Sequence, residues 1–113
     1  MRAIKFRAWD TDRKQMIPWT EIKYDVTFEE VFDNEFLEVN QHTGLKDKNG
    51  VEIYEGDILS YFGFEYEVTF EESAFGWSED GQFYAFAEMA IDEIEKTKII
   101  GNIYETQSWQ TND

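Results

Sequence analysis

The chain has 113 residues, a hydrophobic fraction of 42% and a formal net charge of −15, with 25 acidic residues against 10 basic ones. With 20 Phe, Tyr or Trp residues and a single proline, it carries too much apolar surface for a disordered chain and enough for one principal core. The absence of cysteine excludes disulfides, thiolate metal sites and cysteine nucleophiles, and no apolar run approaches the roughly 20 residues a membrane-spanning helix needs.

Residues 2–9 alternate as a strand with Ile4, Phe6 and Ala8 on one face. After the polar turn Asp10–Gln15, Met16-Ile17-Pro18-Trp19 is expected to return as a second strand, with Pro18 confining it to an edge or a strand end. Thr27-Phe28-Glu29-Glu30 fits a capping box, which leaves 28–37 readable either as a short helix with Phe28, Val31 and Phe32 on one face or as irregular β structure. Asn49-Gly50 predicts a type I′ hairpin led in by Thr43 to Leu45 and out by Val51, Ile53 and Tyr54. A second turn, Glu55-Gly56-Asp57, precedes a strand through Ile58–Tyr61.

Phe62 to Glu71 gives the cleanest alternation. Phe62, Phe64, Tyr66, Val68 and Phe70 are expected on a core face, and Glu65, Glu67, Thr69 and Glu71 on a solvated one. Phe75-Gly76-Trp77 starts a further strand, Asp80-Gly81 is a hairpin turn, and Gln82–Tyr84 follows. Ala87, Ala90, Ile91 and Ile94 at helical spacing predict one amphipathic helix at about 87–95. Ile99 to Tyr104 reads as the last strand and Gln107 onward as a polar tail. The pattern is mainly β.

Charge is unevenly spread. Eight of the ten Lys and Arg residues fall at or before Lys48, and between Asn49 and Glu95 there is no cation among thirteen Asp and Glu residues. Such a segment disfavours direct contact with a phosphate backbone, which needs Lys and Arg to displace its counterions. Glu65, Glu67 and Glu71, with Glu72 beside them, form a row at about 7 Å per two residues, close to the spacing of successive phosphates. That row is a candidate partner-binding face, possible as a nucleic-acid mimic, and its bland alternative is a solvated sheet face that aids solubility.

The other candidates are weaker. His42, the only histidine, has no partners singled out for a triad or metal site and reads as an ordinary polar position. The pairs Glu71-Glu72, Glu79-Asp80 and Asp92-Glu93 lack the spacing of a calcium loop, so no metal or cofactor is expected. Trp9, Trp19, Tyr61, Phe64, Trp77 and Trp109 could line a peptide groove but more often fill a small β core. Trp77, between Gly76 and Ser78, and Trp109 in the tail are the two expected to be exposed and available to a partner.

Three blocks carry a resemblance: Arg7-Ala8-Trp9-Asp10 with Met16-Ile17, then Thr43 through Ile58, then Ile100-Gly101-Asn102-Ile103-Tyr104-Glu105. Together they resemble the YopX proteins of phages and prophages of Gram-positive bacteria; the segments 20–40 and 72–98 add nothing to the likeness. The resemblance implies one YopX-like domain over 1–113. Residues 1–42 would be an N-terminal β extension, 43–106 an SH3-like barrel or roll, and 107–113 the tail. It implies no catalytic residues, and Asn49, Gly50, Gly56, Asp57 and Gly101 are assigned to structural turns. The expectation is a non-enzymatic protein of the bacterial host cytoplasm that binds a host or phage protein bearing a basic surface, with no membrane partner. A structural or self-associating module is the alternative, and a small hydrolase or nuclease, lacking a nucleophile or phosphate-loop motif, is the least favoured reading.

Overall fold

A sequence rich in aromatic and β-branched residues and punctuated by Gly and Asp turns folds as strands. The computed structural model describes residues 4–25 and 33–105, and it is mainly β, of the barrel or roll class. The chain divides into two units, 1–42 and 43–113.

In the first unit, β1 (Phe6–Asp10) is central. It pairs antiparallel with β2 (Gln15–Ile17), Ala8 opposite Ile17, and with the first part of β3 (Leu37–Lys46), Ala8 opposite Val39. The carboxylate of Asp10 shapes the β1–β2 turn by accepting the backbone N–H groups of Asp12 and Arg13, each at 3.0 Å. Trp19 does not extend the second strand. Pro18 ends it and opens the helix α1 (Trp19–Asp25), its carbonyl accepting the N–H groups of Glu21 and Ile22. A proline suits that place because its missing N–H falls where a helix has no partner to offer. Ile22 is buried with Ala8, and Ile17, Trp19, Leu37 and Val39 pack round them. Ile4, expected on the same face as Ala8, is exposed. The Thr27–Glu30 capping pattern lies outside the described residues.

In the second unit the end of β3 pairs with β4 (Glu52–Tyr54). The strand β5 (Asp57–Tyr61) lies between β10 (Lys98–Asn102) and β6 (Phe64–Glu67), while β7 (Thr69–Glu71), β8 (Ala74–Glu79) and β9 (Gln82–Ala85) form a meander. Its core is Ile53, Leu59, Val68, Trp77, Phe86 and Ile94.

The helical segment falls where expected but is not continuous. A 3-10 turn, Phe86–Glu88, and one α turn, α2 (Ile91–Ile94), are separated by residues of which Ala90 is extended. Phe86 and Ile94 enter the core, whereas Ile91 is exposed, so the i, i+4 stripe is not what buries this segment.

Turn chemistry fixes the strand registers. Phe62-Gly63, Glu72-Ser73 and Asp80-Gly81 each have positive φ at both residues, the type I′ pattern whose twist matches a hairpin. Asn49-Gly50 is different: of the two, only Gly50 has positive φ. Its loop closes through Asp47, whose carbonyl accepts Gly50 N–H and whose N–H donates to the Val51 carbonyl. The buried Asp47 carboxylate accepts the N–H groups of Asn49 (2.9 Å) and Val51 (3.0 Å) on Oδ1 and of Ile99 (2.9 Å) on Oδ2. Glu55 and Gly56 form the next turn, and Asp57, expected in it, is instead the first residue of β5, where its Oδ2 accepts Tyr54 N–H at 2.7 Å. Gly101 is not in a turn: it lies within β10, where the pairing with β5 shifts between Ile99 and Gly101 as at a bulge.

Candidate functional site

The segment read as one strand from Phe62 to Glu71 is two strands with a hairpin tip in front of them. β6 pairs with β5 in the register Tyr61 to Phe64, Ser60 to Glu65, Leu59 to Tyr66 and Ile58 to Glu67. Phe62 occupies the turn, and beyond Val68 the chain joins β8 through β7. Alternation therefore survives while burial does not follow it. Val68 is fully buried and Tyr66 is partly buried against the core, but Phe62, Phe64 and Phe70 are exposed.

On the opposite face, Glu65 is exposed and Glu67 is half-buried, paired with the fully buried Ile58. Burial raises the Glu67 carboxyl above the usual glutamate range, and Glu55 and then Glu71 raise it further. Each cause disfavours the anion, and no cation is among them. The fold thus brings together carboxylates from three segments: the β4–β5 turn, β6 and the end of β7. Glu55 was not singled out from sequence, because its approach to Glu67 depends on β5 and β6 lying side by side. Glu71 also accepts the Thr69 hydroxyl at 3.0 Å, and Glu72 sits in the β7–β8 turn with φ +51.

Trp77 is not at this surface. It is 3% exposed, stacked on Tyr66 at 4.5 Å with 14° between the rings, and edge-on to Phe86 at 5.6 Å. Its indole N–H donates to Glu79 Oε1 at 3.2 Å. The Tyr66 hydroxyl also hydrogen-bonds Glu79, and burial, followed by Glu79 and Asp80, pushes the phenol up. Glu79 is therefore held by aromatic donors. The flanking Gly76 and Ser78 suggested exposure, but Gly76 is small because β9 passes directly over it: a Cβ there would collide with the Tyr84 carbonyl and lie 2.9 Å from Ala85 Cα.

The remaining candidates are dispersed. His42, half-buried near the end of the first unit, donates its backbone N–H to Lys5 at 2.9 Å. Trp9 is buried, Trp19 packs on Phe6 with ring centres 6.3 Å apart, and Trp109 lies outside the described residues. Among the described residues no group of three or more His, Asp or Glu side chains is disposed to hold a metal ion. None of the described helices is long and apolar enough to cross a membrane.

A family model described as YopX protein matches residues 23–108. The crystal structure of protein EF1440 from Enterococcus faecalis is similar in fold: it is 25% identical, the match covers 96% of this chain and 99% of that one, and the TM-score is 0.69. No curated protein matches.

Proposed function

The chain belongs to the YopX family, and from that premise we propose that it is a phage or prophage accessory protein that works by binding rather than catalysis, docking its acidic surface on a protein with a basic one. The observation that carries this reading is Glu67, half-buried and with only the carboxylates Glu55 and Glu71 as charged neighbours that shift it. A cation delivered there offsets the repulsion, and because the carboxylate is already partly desolvated, docking removes less water from it than from a fully solvated acid. Glu65 and Glu72 extend the negative field. The same row suits the groove of a nucleic-acid-binding protein, where it would stand in for phosphates.

The test is capture of basic proteins from a bacterial host lysate at two ionic strengths. Screening shortens from about 10 Å at 0.1 M salt to about 3 Å at 1 M, so partners held by this face should be recovered at low salt and released at high salt. The triple reversal Glu65→Lys, Glu67→Lys, Glu71→Lys should abolish their recovery while near-ultraviolet circular dichroism stays unchanged. Partners that remain through high salt or through the reversal would refute the acidic-surface reading.

A further inference from the structure

The turn that Asn49-Gly50 occupies accounts for only half of the pair. Gly50 is required by its φ of +78, but Asn49 lies outside the left-handed region, so tolerance of that region does not explain an asparagine here. The Asn49 side chain is exposed and makes no hydrogen bond to another described residue. Neither conformation nor bonding calls for it.

The chemistry of the pair is distinctive instead. In an Asn-Gly sequence the glycine nitrogen, after losing its proton to water, can attack the asparagine side-chain carbonyl carbon, because glycine has no Cβ to obstruct the approach. The new N–Cγ bond closes a five-membered imide, the Cγ–Nδ2 bond breaks and ammonia leaves. Water then opens the ring at either carbonyl, leaving an aspartyl or an isoaspartyl residue. The reaction needs no enzyme and no oxidant. It needs a released Gly50 N–H and an asparagine able to swing onto it.

The loop withholds both. Gly50 N–H donates to the Asp47 carbonyl at 3.0 Å, and the N–H groups on either side of it, from Asn49 and Val51, are held by Asp47 Oδ1. Asn49 is thus pinned through its own N–H and through the peptide that follows it. The Asp47 carboxylate also opposes ionisation of the nitrogen between those two bonds, since a second negative charge there is repelled. The loop is in turn tied to the entry of β10. Lys48 N–H donates to the Thr97 carbonyl at 2.8 Å, and Ile99 N–H donates to Asp47 Oδ2 at 2.9 Å.

We infer that Asn49 is a site of spontaneous deamidation that the Asp47 loop holds in check, and that the modified loop does not close again. The isoaspartyl form routes the main chain through the former side chain and so inserts an extra carbon before Gly50. The bonds from Gly50 N–H to the Asp47 carbonyl, from Val51 N–H to Asp47 Oδ1 and from Asp47 N–H to the Val51 carbonyl all span that insertion. Either product also sets a new anion close to the buried Asp47 carboxylate. A passing opening of the loop is thereby converted into a permanent change. The inference is independent of the acidic-surface reading.

The test follows the amide-to-acid mass change by peptide mapping, in the full chain and in a synthetic peptide of residues 45–53, at neutral pH. The full chain should react at least about tenfold more slowly, the change that one backbone hydrogen bond makes in an opening equilibrium. Equal rates, or a peptide that stays intact, would overturn the inference. Asn49→Gln should abolish the mass change, and its persistence in that variant would overturn the inference too. Asp47→Ala should react nearly as fast as the peptide; a rate no higher than the parent's counts against the loop. Because that variant removes three acceptors and can unfold, the parent is also followed in urea below its unfolding transition. There deamidation and Ile99 amide exchange should rise together, and deamidation that stays constant while exchange rises would sink the proposal. The isoaspartyl chain, separated by ion exchange, should exchange its Ile99 amide faster than the parent, whereas equal protection would show that the loop recloses and would overturn the inference.

Discussion

Among the described residues, the 1–42 unit buries three apolar side chains, Ala8, Trp9 and Ile22, whereas the 43–113 unit buries seven: Ile53, Ile58, Leu59, Val68, Trp77, Phe86 and Ile94. Charge divides the same way. Six cations against nine acids leave −3 on the first unit, and four against sixteen leave −12 on the second. A shell of like charge repels itself and opposes compaction. The unit that bears most of it is also the one with a stacked Tyr66–Trp77 pair, a carboxylate holding three backbone donors, and a glycine pressed against a neighbouring strand. Packing strength and surface charge have accumulated together, which allows an acidic face to be presented on a rigid support.

That contrast can be broken or sharpened by substitution. The largest effect is expected from Gly76→Ala: the added methyl has no space beside the Tyr84 carbonyl, and prying β9 from β8 should cost about 4 kcal/mol or more, enough to unfold the second unit in a urea titration. A native-like titration would mean that the β8–β9 contact is not the constraint described.

Truncating one fully buried side chain in each unit comes next. Leu59→Ala should cost about 3–5 kcal/mol and Ile22→Ala about 2–3 kcal/mol, because a cavity in the smaller core collapses more readily; equal losses would remove the asymmetry. Asp47→Asn should cost about 1–3 kcal/mol by leaving one of its three backbone donors unmet. Amide exchange should accelerate at Ile99, or the Oδ2 contact is not structural.

The smallest effect concerns pH. Folded Glu67 holds its proton more tightly than the unfolded chain does, so its ionisation opposes folding. Its contribution is most favourable below about pH 4.3 and declines as pH rises through the elevated folded value. Glu67→Gln should therefore be slightly more stable than the parent at pH 7, and the two should converge near pH 4. A variant less stable at pH 7 would reverse the assigned sign.

Features that rest on local chemistry were readable in the sequence. Asp80-Gly81 gave its hairpin and Gly56 its turn, because αL-tolerant residues announce themselves. Phe62-Gly63 did not, since phenylalanine is a poor residue for positive φ and two-residue hairpins preserve the alternation that made 62–71 resemble one strand. Trp77 was misplaced for a related reason: small neighbours signal either solvent or close backbone approach, and only the path of β9 decides between them. The acidic row was legible residue by residue, but the meeting of Glu55, Glu67 and Glu71 was not, because it depends on strand neighbours rather than on spacing. Nor could Asp47 be matched with Ile99, 52 residues further on.

That long-range bond has a consequence for biosynthesis. In a chain emerging from the ribosome, Asp47 Oδ1 can take its local donors Asn49 and Val51 at once, but Oδ2 has no Ile99 N–H to accept until nearly the whole second unit has followed, and stays hydrated until then. The last strand therefore acts as a latch: a product truncated before it would carry a half-finished loop and an open β5 edge, and would be a ready target for cellular proteases.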